Sequence, residues 1–223
     1  MQRRSLMIAG LAGLSAATGA HAALNETDAA SGIRVALERG AEAAVKGLGR
    51  TDGFLGNPKV RIPLPGYLED AAKLMRTLGQ GKRVDELVTA MNRAAEAAVP
   101  EARTLLVNTV KQISVEDALR IVKGGDTAVT DFFARKTRTP LGEKFLPIVT
   151  QATERVSLAD KYNRVAGKAQ GLGLVKPEDA NVQQYVTRKA LDGLYLMIAE
   201  EEKKIRADPV GTGSAILKKV FGF

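Results

Sequence analysis

Apolar residues in this chain recur at intervals of three and four almost from end to end, while the apolar–polar alternation of a half-buried strand is nearly absent. A chain patterned this way has a face to bury on each helix and nothing to pair as a sheet, so the expected fold class is all-α. Glycine and proline cut the pattern into segments. Ala30–Leu48 carries Ile33, Leu37, Val45 and Leu48 near one face, and a short helix over Leu68–Leu78 stops at Gly79-Gln80-Gly81. Val84–Val99 follows, with Val84, Leu87, Val88, Met91 and Ala95 at helical spacing and Pro100 marking an end or a kink. Ala102–Gln112 is next. Ser114 with Asp117 resembles a capping box that opens a helix ending at Gly124-Gly125. Thr127–Ala134 carries Phe132 and Phe133. Thr139-Pro140 reads as an N-cap and first-turn proline opening another helix through Phe145, Leu146, Ile148, Val149 and Val156. Leu158–Gly171 precedes the longest run, Glu178–Arg206, which Pro177 starts and Pro209 closes, and Ser214–Phe221 ends the chain. The expectation is a single compact multi-helix bundle or array of about eight or nine helices with one long extended loop, Gly49–Gly66. Gly171–Pro177 is its weakest internal boundary.

Residues 1–22 have a different character. Arg3 and Arg4 precede an apolar run from Leu6 to Ala17, and Ala20-His21-Ala22 gives a small-x-small cleavage pattern. The run is short of the roughly 20 residues needed to span a bilayer. A cleaved signal is therefore expected, of general secretory or twin-arginine type, and with no cysteine in the chain there is no lipid anchor. Cleavage leaves 201 residues, read as one domain over 23–223, periplasmic or secreted. It also removes His21, the one histidine, and lowers the formal charge from +8 to +6.

The mature chain then has no histidine, cysteine or tryptophan, which excludes histidine triads, thiolate and imidazole metal sites, and disulfides. No phosphate-loop, nucleophile-elbow, S-x-x-K or calcium-loop spacing occurs, and the G-x-G pairs follow no strand. No catalytic residue, metal or cofactor is expected. Export makes anionic lipid or envelope polymers the natural partners of the basic balance, rather than nucleic acid. The charges are nonetheless interspersed, as on an ordinary solvated surface.

Several strings are more specific: Thr51–Pro58 (TDGFLGNP), Met91–Ala102 (MNRAAEAAVPEA), Phe145–Val149 (FLPIV), Lys189–Lys203 (KALDGLYLMIAEEEK) and Leu217–Gly222 (LKKVFG). Together they resemble the bacterial domain of unknown function numbered 4197, over nearly the whole mature chain. The resemblance implies a helical, exported protein and no activity or site residues.

Two regions are candidate sites. In the Gly49–Gly66 loop, Phe54, Leu55 and Asn57 occupy the expected tip beside Arg50 and Asp52, and Val60, Ile62 and Leu64 alternate with Lys59, Arg61 and Pro63. The loop is either a lid or partner-docking arm, or a strap whose apolar residues complete the core, and the second reading is preferred. In the longest helix, Ala190–Ala199 is apolar almost all round apart from Asp192, with Arg188 four residues before and Tyr195 three after. These three either line an internal polar site for a small ligand or form a structural salt bridge with a hydrogen-bonded tyrosine. Glu200–Lys204 and Glu202–Arg206 are spaced as ion pairs on a solvated face. Residues 214–223 can lie in an anionic membrane interface or dock on the bundle. The function these features favour is a non-enzymatic envelope protein binding a small molecule, a lipid or another envelope protein. A carboxylate-based enzyme acting on envelope glycans and a purely structural scaffold remain the alternatives.

Overall fold

The computed structural model describes residues 26–208 apart from 155, 174, 177 and 178. Among these residues the regular elements are all helical. The expected signal over residues 1–22 and the closing helix over 214–221 lie outside the described residues. Eight α-helices follow in order: α1 (Glu26–Leu48), α2 (Glu69–Thr77), α3 (Gly81–Ala98), α4 (Ala102–Lys111), α5 (Val115–Lys123), α6 (Ala128–Thr153), α7 (Ser157–Gly171) and α8 (Val182–Ala207). A 3-10 turn at Gly66–Leu68 leads into α2, and another at Val99–Glu101 joins α3 to α4 with Pro100 inside it.

The core forms where the apolar faces of the long helices meet. Helix α8 packs along α6 and α1, α3 packs along α6 and α8, and α4 and α5 close against α1. Met91 of α3, Leu106 of α4, Phe133, Leu141 and Phe145 of α6, and Leu194 and Ile198 of α8 are at most 2% exposed and belong to one cluster. Full burial of each such side chain stabilises the fold by roughly 1.5–3 kcal/mol. Ala159, Tyr162 and Ala166 bring α7 into the same cluster.

Two expected boundaries shift. The helices expected over 127–134 and from 139 are one helix, α6, with Pro140 and Pro147 in its interior. Each proline removes a ladder bond, to the carbonyls of Lys136 and Glu143, at a local cost of about 3 kcal/mol. The buried stripe Phe133, Thr137, Leu141, Phe145 and Val149 continues unbroken past both and outweighs that cost. Helix α8 starts after Pro177, at Val182. Asn181 is its N-cap, accepting the Gln184 N–H at 2.7 Å, and Asn163 of α7 accepts the Val182 N–H at 2.8 Å. Ser114 caps α5 as expected, accepting the Asp117 N–H at 3.0 Å, but the Asp117 carboxylate turns to Arg120 instead of closing the box.

Helix ends are tied to α8 by one buried ion pair. Glu202, 4% exposed, accepts the Val129 and Thr130 N–H groups at 3.2 Å and so caps α6 from another helix. Arg206 donates to Glu202 at 2.9 Å and to the Ile121 carbonyl at the end of α5 at 3.1 Å. The spacing of this pair was legible, but it is buried rather than solvated. Glu200 pairs with Lys59 rather than Lys204, which pairs with Glu201.

Candidate functional site

The loop between α1 and α2 is a strap, and its fastening begins with chain direction. Asp52 takes a left-handed φ of 63°, and a Cβ at Gly53 would stand 2.2 Å from the Leu48 carbonyl oxygen, so the chain doubles back tightly over the end of α1. Phe54, expected at the tip, is instead fully buried, and Leu55 is half-buried. The Phe54 and Leu55 N–H groups donate to the Glu96 carboxylate at 3.0 and 3.1 Å. Arg93 bridges Glu96 to Asp52, at 2.6 and 2.7 Å. Asn57 donates to the Met197 sulfur at 4.0 Å and Lys59 pairs with Glu200 at 2.7 Å. Further on, Val60 and Ile62 are buried as their alternation implied, and the Asn92 amide both accepts from and donates to the backbone of Ile62, at 2.8 and 2.9 Å. Among the candidate loop residues, Asp52, Phe54, Leu55 and Asn57 are therefore engaged in holding the strap. Arg50 stands apart, exposed beyond the end of α1.

Three of the five strings converge here. TDGFLGNP is the strap, MNRAAEAAVPEA supplies Asn92, Arg93 and Glu96, and KALDGLYLMIAEEEK supplies Gly193, Met197 and Glu200. A Cβ at Gly193 would stand 2.7 Å from a ring carbon of Phe54, so the glycine makes room for the buried ring. Asn92 and Glu96 were missed by sequence reasoning. Their signal is two polar residues at i,i+4 on the face of an alanine-rich helix that also carries Val88.

The second candidate region lies where α8 faces α6. Arg188 and Asp192 meet, but only at 3.5 Å, and Asp192 is not internal: its side chain is 41% exposed. Its shorter partner is Arg138 of α6, at 2.9 Å. Arg188 is held mainly by Asp179, in the turn before α8. Tyr195 does not bond to Asp192 or Arg188. It is buried, its hydroxyl is 2.8 Å from that of Thr137, and the Arg138 guanidinium stands 5.0 Å over its ring. Burial raises the Tyr195 phenol above its usual range, opposed by the Thr137 hydrogen bond and by Arg138. Arg138 therefore touches two of the three expected residues, Asp192 and Tyr195, and nothing in its local sequence marks it.

An open groove of about 920 Å³ runs beside this chain of ion pairs. Arg138 and Glu143 line it from α6, Gln170 from α7, and Gln184, Thr187 and Arg188 from α8. Leu146 and Leu191 give it an apolar portion. The Thr187 residue is 8% exposed, and its hydroxyl makes no hydrogen bond among the described residues. A buried hydroxyl without a partner costs about 1–3 kcal/mol. The groove thus offers a planar donor and amide groups of both polarities beside a hydrophobic floor, which suits a small polar molecule. No group of carboxylates able to hold a metal occurs among the described residues, and none of their helices is long and apolar enough to cross a membrane.

The model of a family described as "Protein of unknown function (DUF4197)" matches residues 23–222. No curated protein and no solved structure matches the chain.

Proposed function

For a chain that belongs to the DUF4197 family, we propose the role of a non-enzymatic binding protein of the bacterial cell envelope, holding a small polar ligand in the α6–α8 groove. The observation that carries this reading is the groove itself, where the Arg138 and Arg188 guanidinium groups stand with the Gln170 and Gln184 amides beside Leu146 and Leu191. Arg138 commits one Nη to Asp192 and can offer its remaining N–H donors to a ligand. Export is supported by the signal pattern of residues 1–22, and the family match begins at residue 23, directly after the expected cleavage.

Native mass spectrometry of the protein, gently purified from an envelope fraction, tests this. The expected result is an extra mass that denaturation releases and that Arg138→Gln with Thr187→Val removes without lowering the melting temperature. A bare mass, under conditions where weak ligands survive, overturns the reading.

A further inference from the structure

Arg50, left over by the strap, leads to a second site. The C-terminal turns of α1 and the junction of α3 with α4 leave a cleft of about 420 Å³ between them. Lys46 and Arg50 reach it from α1 and just beyond, and Arg103 reaches it from α4. Its one carboxylate is Glu42, and that group is already taken: Arg103 donates to it from Nε at 3.2 Å and Nη2 at 2.7 Å. The Lys46 and Arg50 side chains make no hydrogen bond or ion pair among the described residues, so the cleft holds two cations in excess. A helix C-terminus favours a nearby cation. That accounts for Lys46 and not for an arginine brought from another helix. Val45 and Pro100 supply an apolar wall. The cleft is closed at its base, where a Cβ at Gly49 would stand 2.9 Å from the Pro100 ring.

Two excess positive charges, one of them an arginine fork, match the charge and oxygen geometry of a phosphate group. The apolar wall matches a short carbon skeleton attached to it. We propose that this cleft binds a small organic phosphate ester such as a glycerophosphate, with Lys46, Arg50 and Arg103 contacting the phosphate oxygens. The same glycerophosphate chemistry occurs in a soluble ester and in the headgroup of an anionic phospholipid. The site is separate from the α6–α8 groove, so either proposal can fail alone.

The full chain is titrated calorimetrically with glycerol 3-phosphate, and co-floated with phosphatidylcholine vesicles with and without phosphatidylglycerol. We expect binding to at least one probe, falling about tenfold for each cation removed in Lys46→Gln/Arg50→Gln. Both side chains are exposed and only Lys46 favours the helix end, so the melting temperature should fall by no more than about a few degrees. Lys82→Gln/Arg83→Gln removes the same charge from exposed positions on α3 and should leave binding within about twofold, as expected of distant screened charges. Response to glycerol 3-phosphate assigns a soluble ester, and response to the anionic vesicles alone assigns the lipid headgroup. No binding to either probe overturns the proposal. So does binding that survives Lys46→Gln/Arg50→Gln, or that falls equally in the two double variants.

Discussion

Asn92 sits in an alanine-rich stretch of α3, where an amide is a poor helix former, and it is fully buried. Its position follows from what it touches. One side chain supplies both a donor and an acceptor to the backbone of Ile62, in a strap with no strand to pair with, and also donates to the Val88 carbonyl at 2.8 Å. Asn92→Ala leaves two buried backbone groups of Ile62 without partners, and should lower stability by about 3 kcal/mol in urea unfolding. Gly193 is the complementary case, where the important group is the one that is absent. Gly193→Ala drives a methyl group into the Phe54 ring and should cost about 1–3 kcal/mol. Combining it with Phe54→Leu should recover part of that loss, giving a favourable coupling energy in a double-mutant cycle.

At the scale of elements, helices here are joined less by their loops than by side chains reaching from one helix to the end of another. Glu202 and Arg206 on α8 serve the start of α6 and the end of α5, and Arg34 on α1 donates to the Ile113 carbonyl beyond α4. Glu202→Ala exposes the first amides of α6 and leaves Arg206 without its buried carboxylate. It should lower stability by about 3 kcal/mol. Hydrogen exchange should localise the loss, with faster exchange at the Val129 and Thr130 amides than at the centre of α8. The i,i+4 spacing of Glu202 and Arg206 was readable along the chain, whereas their burial was not, because it depends on where α5 and α6 pack. The same limit explains the α6 boundary: Thr139-Pro140 has the local chemistry of a helix start, and tertiary burial on both sides of it overrides that preference.

Across the whole molecule, three of the four tyrosines gather where the strap, α7 and the start of α8 meet. Tyr67 and Tyr162 donate to the Asp179 carbonyl at 3.2 and 3.3 Å, and Tyr185 donates to the Pro63 carbonyl at 3.0 Å. Burial pushes the Tyr185 phenol up to about 12 and the Tyr162 phenol well above its ordinary range. A phenol titrates near 10 in the unfolded chain. Above that pH the unfolded state sheds protons that the folded state keeps, so the unfolded state binds fewer protons and stability falls as pH rises. The contribution is intact below about pH 10 and should be lost as pH climbs through about 12. Melting temperatures measured between pH 8 and pH 12 should drop in that window, together with a delayed, cooperative rise in tyrosinate absorbance. A drop complete below pH 10 would contradict this assignment.

What the sequence by itself determined is what depends on neighbours along the chain. The spacing of apolar residues decided the helical class, Ser114 decided where α5 starts, and the alternation at Val60, Ile62 and Leu64 decided which side of the strap faces inward. The absence of cysteine removed disulfides and thiolate sites before any contact was known. The tertiary structure decided what depends on groups far apart in the chain. It buried Phe54, which was expected at the tip of the loop, because Gly193 opens a seat for it and Glu96 accepts its amide. It exposed Asp192, which an apolar helix suggested was internal, because Arg138 arrives from α6 to share it. Helical periodicity is a property of one segment, whereas burial and charge pairing belong to the space between segments, and that space exists only once they are packed.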